Sequence, residues 1–136
     1  MNYKLTEFEK HSDQRGDLIV FLKESELDER HKQFGQIYFV TFETEGTVRG
    51  NHYHNEWREW FGVVSGSIEV FLEDVTSKER IKLVLNAKKN KYTRLEIGPH
   101  IAHTFRSLSK YAALVNYANS EWNKEDTIAY NIALNS

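Results

Sequence analysis

Between Gly46 and Gly66 the chain carries His52, His54 and Glu59 at the spacing G-x5-H-x-H-x4-E-x6-G. On a strand, His52 and His54 lie two residues apart and so project from the same face. Glu59 follows His54 by five residues, enough for the chain to turn and bring a carboxylate back. A second block, Gly98-Pro99-His100-Ile101-Ala102-His103, places another imidazole at a strand entry. Side chains so far apart in sequence meet only if their strands close around a common interior. Together, three neutral imidazoles and one carboxylate form a borderline-soft ligand set acceptable to Zn, Fe, Mn, Ni or Cu. The same groups form an acid–base set near neutral pH. Residue type and spacing leave both uses open.

The rest of the chain reads as strands. Residues 17–22, 36–42, 60–64, 67–72, 80–85, 92–97, 102–108 and 111–117 are short runs, rich in β-branched and aromatic residues and bounded by polar or glycine-bearing turns. Ser65-Gly66 reads as a tight hairpin between two of them. The charged run Glu24–Lys32 reads as a loop or a single helical turn. Strands at this spacing predict an all-β fold, a sandwich or a jelly-roll barrel; the expectation is a jelly roll of two packed antiparallel sheets with His52, His54, Glu59 and His103 pointing inward.

At 136 residues the chain fits one domain, 1–136, large enough for a real core. A net charge of -2 gives no basic footprint for nucleic acid. The absence of cysteine rules out disulfides and thiolate metal sites. The first residues lack the apolar core of a signal peptide, and no run is long enough to span a membrane. A cytoplasmic location is the expectation.

The spacing of the first block is that of the first signature of the cupin superfamily, and the second block resembles the second signature, with His100 where glycine is usual. Asp13-Gln-Arg15-Gly16-Asp-Leu, Gln36-Ile-Tyr38-Phe-Val and Arg49-Gly50-Asn-His52-Tyr-His54 narrow the resemblance. They are similar to the cupin enzymes that remodel nucleotide-linked keto sugars, above all the dTDP-4-keto-6-deoxyglucose 3,4-ketoisomerases. The Arg49–His54 segment also resembles the zinc-holding C-terminal cupin domain of capsular-polysaccharide reductases. The dTDP-4-dehydrorhamnose 3,5-epimerases are a more distant match, with one histidine where this chain has two.

The resemblance implies an isomerase or epimerase acting on a nucleotide-diphospho-4-keto-6-deoxyhexose in bacterial surface-polysaccharide biosynthesis. His52, His54 and Tyr38 are then the candidate catalytic residues. Arg15 and Arg49 are candidate diphosphate ligands, since guanidinium pairs bidentately with phosphate. His100 is a candidate for the pocket mouth, and Trp57 for stacking on a base or sugar ring. Plainer roles stand beside these: a surface salt bridge for Arg15, core packing for Tyr38 and Trp57. A divalent metal (Zn, Mn, Fe or Ni) would sit on His52, His54, Glu59 and His103, although the ketoisomerases are understood to need none. The alternatives are a metal-dependent cupin enzyme of another reaction class and a non-catalytic sugar-binding module. Small jelly rolls leave sheet edges open, so a homodimer is expected, with the apolar run Leu18–Leu22 as the candidate for exchange or edge pairing.

Overall fold

The computed structural model describes residues 1–132 and 134. Its strands are β1 (Tyr3–Glu9), β2 (His11–Asp13), β3 (Gly16–Leu18), β4 (Gln36–Phe42), β5 (Val48–Tyr53), β6 (Glu59–Ser65), β7 (Ser67–Asp74), β8 (Arg80–Asn86), β9 (Lys91–Ile97), β10 (Ile101–Ser107), β11 (Ala112–Ala118) and β12 (Ile128–Ala129). Two five-stranded antiparallel sheets, ordered β1-β9-β6-β11-β4 and β12-β5-β10-β7-β8, face each other as a jelly roll. Alternating apolar residues of both inner faces, among them Phe42, Phe61, Val70, Leu72, Leu95, Phe105 and Leu114, pack one contiguous core. The Glu24–Lys32 run forms two short 3-10 turns, Glu24–Glu26 and Glu29–His31. Among the described residues, no helix is long and apolar enough to cross a membrane.

Two local expectations are corrected. Ser65-Gly66 is a corner, not a hairpin: β6 pairs with β9 and β11, whereas β7 pairs with β8 and β10 in the other sheet. Gly66 turns the chain at φ 75°, packed so closely on Ser109 and Tyr111 that a side chain has no room. The run 17–22 is a strand only through Leu18. There β3 pairs with β2 in a separate two-stranded ribbon, and the apolar residues beyond it leave the ladder.

The join between β5 and β10 positions the site. His103 opposes His52, but Thr104 opposes Gly50, so Asn51 is an extra residue on the β5 side. Asn51 has φ 60° and Gly50 φ 102°, and the Asn51 amide oxygen accepts a 2.8 Å bond from the Thr104 hydroxyl. This is a β-bulge, the device that re-aims a side chain beside an active site. A Cβ on Gly50 would lie 2.6 Å from the His103 carbonyl oxygen. The Arg-Gly-Asn-His sequence is therefore what lets β5 press against β10 and bring His52 level with His103. We expect Gly50→Ala to lower stability by about 1–3 kcal/mol, read as a lower denaturant midpoint. A variant of unchanged midpoint would mean that the bulge tolerates a side chain.

Candidate active site

Three imidazoles converge inside the barrel, His52 from β5, His54 from just beyond its end and His103 from β10. The ligand atoms of His52, His54 and His103 all lie within 4.8 Å of one another. The His52 and His103 rings meet edge to face with centroids 4.7 Å apart. Glu59, at the start of β6, reaches the same cluster from the opposite sheet. Its oxygens stand 3.7 Å from His54 Nε2 and 3.4 Å from His103 Nε2. The inward convergence expected of these four residues is what the fold produces, although Glu59 lies outside the mutual trio of nitrogens.

Backbone carbonyls fix the tautomers. His54 Nδ1 lies 2.6 Å from the Asp126 carbonyl oxygen, and His103 Nδ1 lies 3.2 Å from that of Ile101. A carbonyl only accepts, so each Nδ1 carries the proton and each Nε2 presents a lone pair. Burial holds all three imidazoles below their ordinary pKa, His52 at about 4, with the neighbouring imidazole charges adding to the effect at His52 and His103. Glu59 is wholly buried, and desolvation raises its carboxyl to about 8 against a smaller opposing effect of Tyr38. Tyr38 lies close enough to lower Glu59, yet no hydrogen bond of normal geometry reaches either Glu59 oxygen. Burial, with the Glu59 charge second, pushes the Tyr38 phenol well up. At neutral pH the cluster is thus uncharged: neutral bases, a protonated carboxyl and a protonated phenol.

The donor set fits a metal ion. His54 and His103 have their Nδ1 protons held by carbonyls, the arrangement that orients an imidazole toward a metal through the other nitrogen. Three mutually close nitrogens, beside a carboxylate in reach of two of them, match a first-row divalent site.

Beside this cluster a cavity of about 130 Å³ is lined by Tyr38, Arg49, Gly50, His52, Phe61, His103 and Phe105, with Val40, Phe42 and Leu114 behind them. A drug-sized ligand takes a pocket of roughly 300–1,000 Å³, and this one is smaller. Arg49 is exposed on β5 and has no ion-pair partner among the described residues. A larger open depression of about 560 Å³ follows the β2–β3 ribbon, but it is lined only by His11–Leu18 residues remote in sequence from the cluster.

The remaining candidates fall elsewhere. Trp57 does not line the cavity: it is buried and stacked on the back of His54, centroids 4.0 Å apart and planes at 10°. Its ring braces the imidazole and has no face free for a ligand. His100 is not in the cavity lining; it occupies the β9–β10 turn at φ 68°, the left-handed conformation glycine usually takes, and its N–H donates to the His54 carbonyl at 2.8 Å. Arg15 is on the exposed ribbon, held by Asp13. Within one chain it does not reach the cavity.

The sequence reading passed over two residues. The Asp126 carboxylate accepts the Asn55 and Glu56 N–H groups at 2.8 and 3.0 Å, clamping the loop after His54 from the far end of the chain. Asn116 on β11 is fully buried, with neither amide atom hydrogen-bonded. An asparagine inside the apolar run Ala112–Leu114-Val115…Tyr117 was the available signal.

A profile of the family described as WxcM-like, C-terminal (FdtA) matches residues 1–132. The chain belongs to this family. No curated protein sequence matches it at a significant level. Among solved structures it is similar to a 3,4-ketoisomerase from Helicobacter canadensis, at 28% identity and TM-score 0.78, over 94% of this chain and 90% of that one. It also resembles a mutant of the 3,4-ketoisomerase QdtA from Thermoanaerobacterium thermosaccharolyticum in complex with TDP-4-keto-6-deoxyglucose (20% identity, TM-score 0.78, 93% and 86% covered). A third is ChmJ, a 3'-monoepimerase from Streptomyces bikiniensis in complex with dTDP-quinovose (20% identity, TM-score 0.83, 96% and 70% covered). The WxcM-like chain thus shares its fold with enzymes of both kinds.

The buried carboxyl gives a stability signature. In the fold Glu59 keeps its proton to about pH 8, whereas its ordinary value is 4.5. Between those values the unfolded chain releases a proton that the folded chain retains. Glu59 therefore costs stability as pH rises, by about 1.4 kcal/mol per pH unit. His52 acts in the opposite sense, losing stability as pH falls from 6.5 toward about 4. In metal-free protein, Glu59→Gln should gain on the wild type progressively from about pH 5 to about pH 8 in urea unfolding. A difference constant across that range would exclude a neutral carboxyl.

Proposed function

We propose that this WxcM-like protein is a nucleotide-sugar isomerase that moves a ketone between neighbouring carbons of a nucleotide-diphospho-4-keto-6-deoxyhexose. The observation that carries this reading is the neutral imidazole of His52 facing a small cavity beside the protonated Tyr38 and Glu59. Family membership and the likeness to 3,4-ketoisomerases support the same class of reaction. The cavity takes the hexose ring. Arg49, exposed and without an ion-pair partner at its edge, takes the diphosphate, and the base stays outside.

A proton alpha to a ketone is removable by a neutral imidazole if the forming oxyanion is neutralised at once. His52 takes the C3 proton, and its electron pair forms the C3–C4 double bond. The C4 oxygen gains a proton from Tyr38, giving an enediol. Return of the histidine's proton to C4, with loss of the O3 proton to the Tyr38 oxygen, leaves a ketone at C3 and both side chains as they began. The epimerase variant would need a second acid on the opposite face of C3, which gives its proton to C3 while the O4 proton returns to Tyr38, the C4 ketone is restored and His52 keeps the proton it took. His54, braced by Trp57 and the Asp126 carbonyl, holds a second base behind His52. A divalent ion, if bound, would be held by His52, His54 and His103 and would supply Lewis-acid polarisation of a carbonyl.

His52→Asn should lower kcat by about 10²–10⁴ with little change in nucleotide affinity. Arg49→Ala should mainly raise KM, because it removes binding common to ground and transition states. The direct assay is exchange of the C3 hydrogen with deuterated solvent across a panel of such keto sugars; a wild type that exchanges none ends this reading. Turnover is expected to survive dialysis against a chelator. Loss of turnover restored by one added metal would transfer the chemistry from acid–base to Lewis-acid catalysis.

We further propose that the working form is a homodimer. Phe39 is 75% exposed on the edge strand β4, and Ile37 and Val64 on the same outer face are more than half exposed. The β2–β3 ribbon and the apolar residues after it flank this face. A contiguous apolar face on an open edge calls for a partner. Light scattering should give about twice 16.0 kDa, and Phe39→Glu should halve that mass; a monomeric wild type at micromolar concentration would overturn the proposal.

A further inference from the structure

Among the described residues, Asn116 is a fully buried side chain whose two polar atoms, Nδ2 and Oδ1, both lack a hydrogen bond, and no step above uses it. On β11 it opposes Tyr38 of β4 on one side and Phe61 of β6 on the other. Directly opposed residues share a face, and Tyr38 and Phe61 both line the cavity beside the imidazoles. So does Leu114, two residues before Asn116 and hence on the same face. Glu59 opposes Ala118, two residues after Asn116, which sets the orphaned carboxyl diagonally across from the orphaned amide.

Its neighbours on this face of the ladder are Tyr38, Phe61 and Leu114, with Glu59 on the diagonal, and none of them hydrogen-bonds the amide. A buried amide without partners is costly to keep. Both its atoms are unpaired, so its complement is a group that both donates and accepts, which is the description of a hydroxyl. The hexose in the reading above carries hydroxyls at C2 and C3, with C1 bearing the diphosphate and C4 the ketone. Resting on that reading, we infer that Asn116 is a specificity-determining residue that recognises a ring hydroxyl of the bound hexose, giving and receiving a hydrogen bond.

The test pairs protein and ligand changes. Non-reacting nucleotide-linked 6-deoxyhexoses are titrated calorimetrically, one with all ring hydroxyls, one lacking that at C2 and one lacking that at C3. The wild type should bind the full sugar about 10-fold tighter than one of the two deoxy forms, which names the hydroxyl. Asn116→Leu should abolish that preference by weakening the full sugar alone. Its unliganded Tm should rise by about 2–6 °C, because an orphaned amide has been replaced by an apolar side chain. Asn116→Val serves as a second apolar variant should leucine overpack the strand. A preference that survives in both variants, or a Tm that falls in both, would overturn the inference and make Asn116 a structural residue. The solvent-exchange assay on the wild type separates the two proposals: exchange with an unchanged preference defeats only the role of Asn116, whereas absence of exchange defeats the functional reading itself.

Discussion

Everything at the site depends on how closely β5 approaches β10. Gly50 leaves its backbone against the His103 carbonyl, where a methyl group would collide, and Asn51 takes up the extra residue in the left-handed region. Without that bulge, continuation of a regular ladder past Thr104 would put Asn51, not His52, opposite His103 and shift the histidines by one residue. Since side chains alternate with period two, that slip would send both imidazoles out of the barrel. Far smaller movements at reacting atoms already weaken catalysis. The bulge thus converts a short sequence, Arg-Gly-Asn-His, into the convergence of His52 and His54 with His103.

Once gathered, the groups are governed by desolvation. Three imidazoles and a carboxylate in water would carry charges near neutral pH. Packed together in the barrel they do not, because each charged form is penalised by burial and, among the imidazoles, by its neighbours. The result is a set of lone pairs and protonated acids side by side, which suits moving a proton between adjacent carbons without building a lasting charge. The same neutrality suits cation binding at the nitrogens, so acid–base and metal uses compete for one constellation. The cavity is lined by His52 and Tyr38, the pair the acid–base reading uses, and also by His103.

The two-sheet architecture and the inward trio were legible in the sequence because both rest on local patterning. Period-two alternation marks a half-buried strand, and H-x-H marks a shared face whatever the topology. What stayed hidden rests on nonlocal facts. Ser65-Gly66 has the chemistry of a tight turn, and it does turn tightly, but whether the two flanking strands pair is decided by β9, β10 and β11, far away in the chain. Trp57 lies near the histidines in sequence, which left open whether its ring faces a ligand or the back of an imidazole. His100, two residues after Gly98, was a candidate for the pocket mouth; it sits instead in a turn at φ 68°, and its backbone N–H anchors the His54 carbonyl. Asp126 was unreadable, since its role exists only when residue 126 reaches residues 54–56.

The buried polar residues divide by whether the fold satisfies them. Asp126 gives its carboxylate to two backbone N–H groups and its carbonyl to His54, and these bonds stiffen the loop that carries a base. On the outer face of the β7 sheet, Glu69 and Glu73 are likewise engaged by Arg106, Arg80 and Tyr130. Glu59, beside His54 and His103, and Asn116 have no hydrogen-bond partner among the described residues, and Asn116 shares the face of its ladder partners Tyr38 and Phe61. A chain selected for stability alone would replace them with apolar side chains, as buried polar groups without partners weaken a core. Both stand close to the cavity-lining residues Tyr38 and Phe61, the place where the proposed function puts a polar ligand. On the proposed function, stability is given up where recognition and chemistry would need it, and the satisfied residues around them keep that concession local.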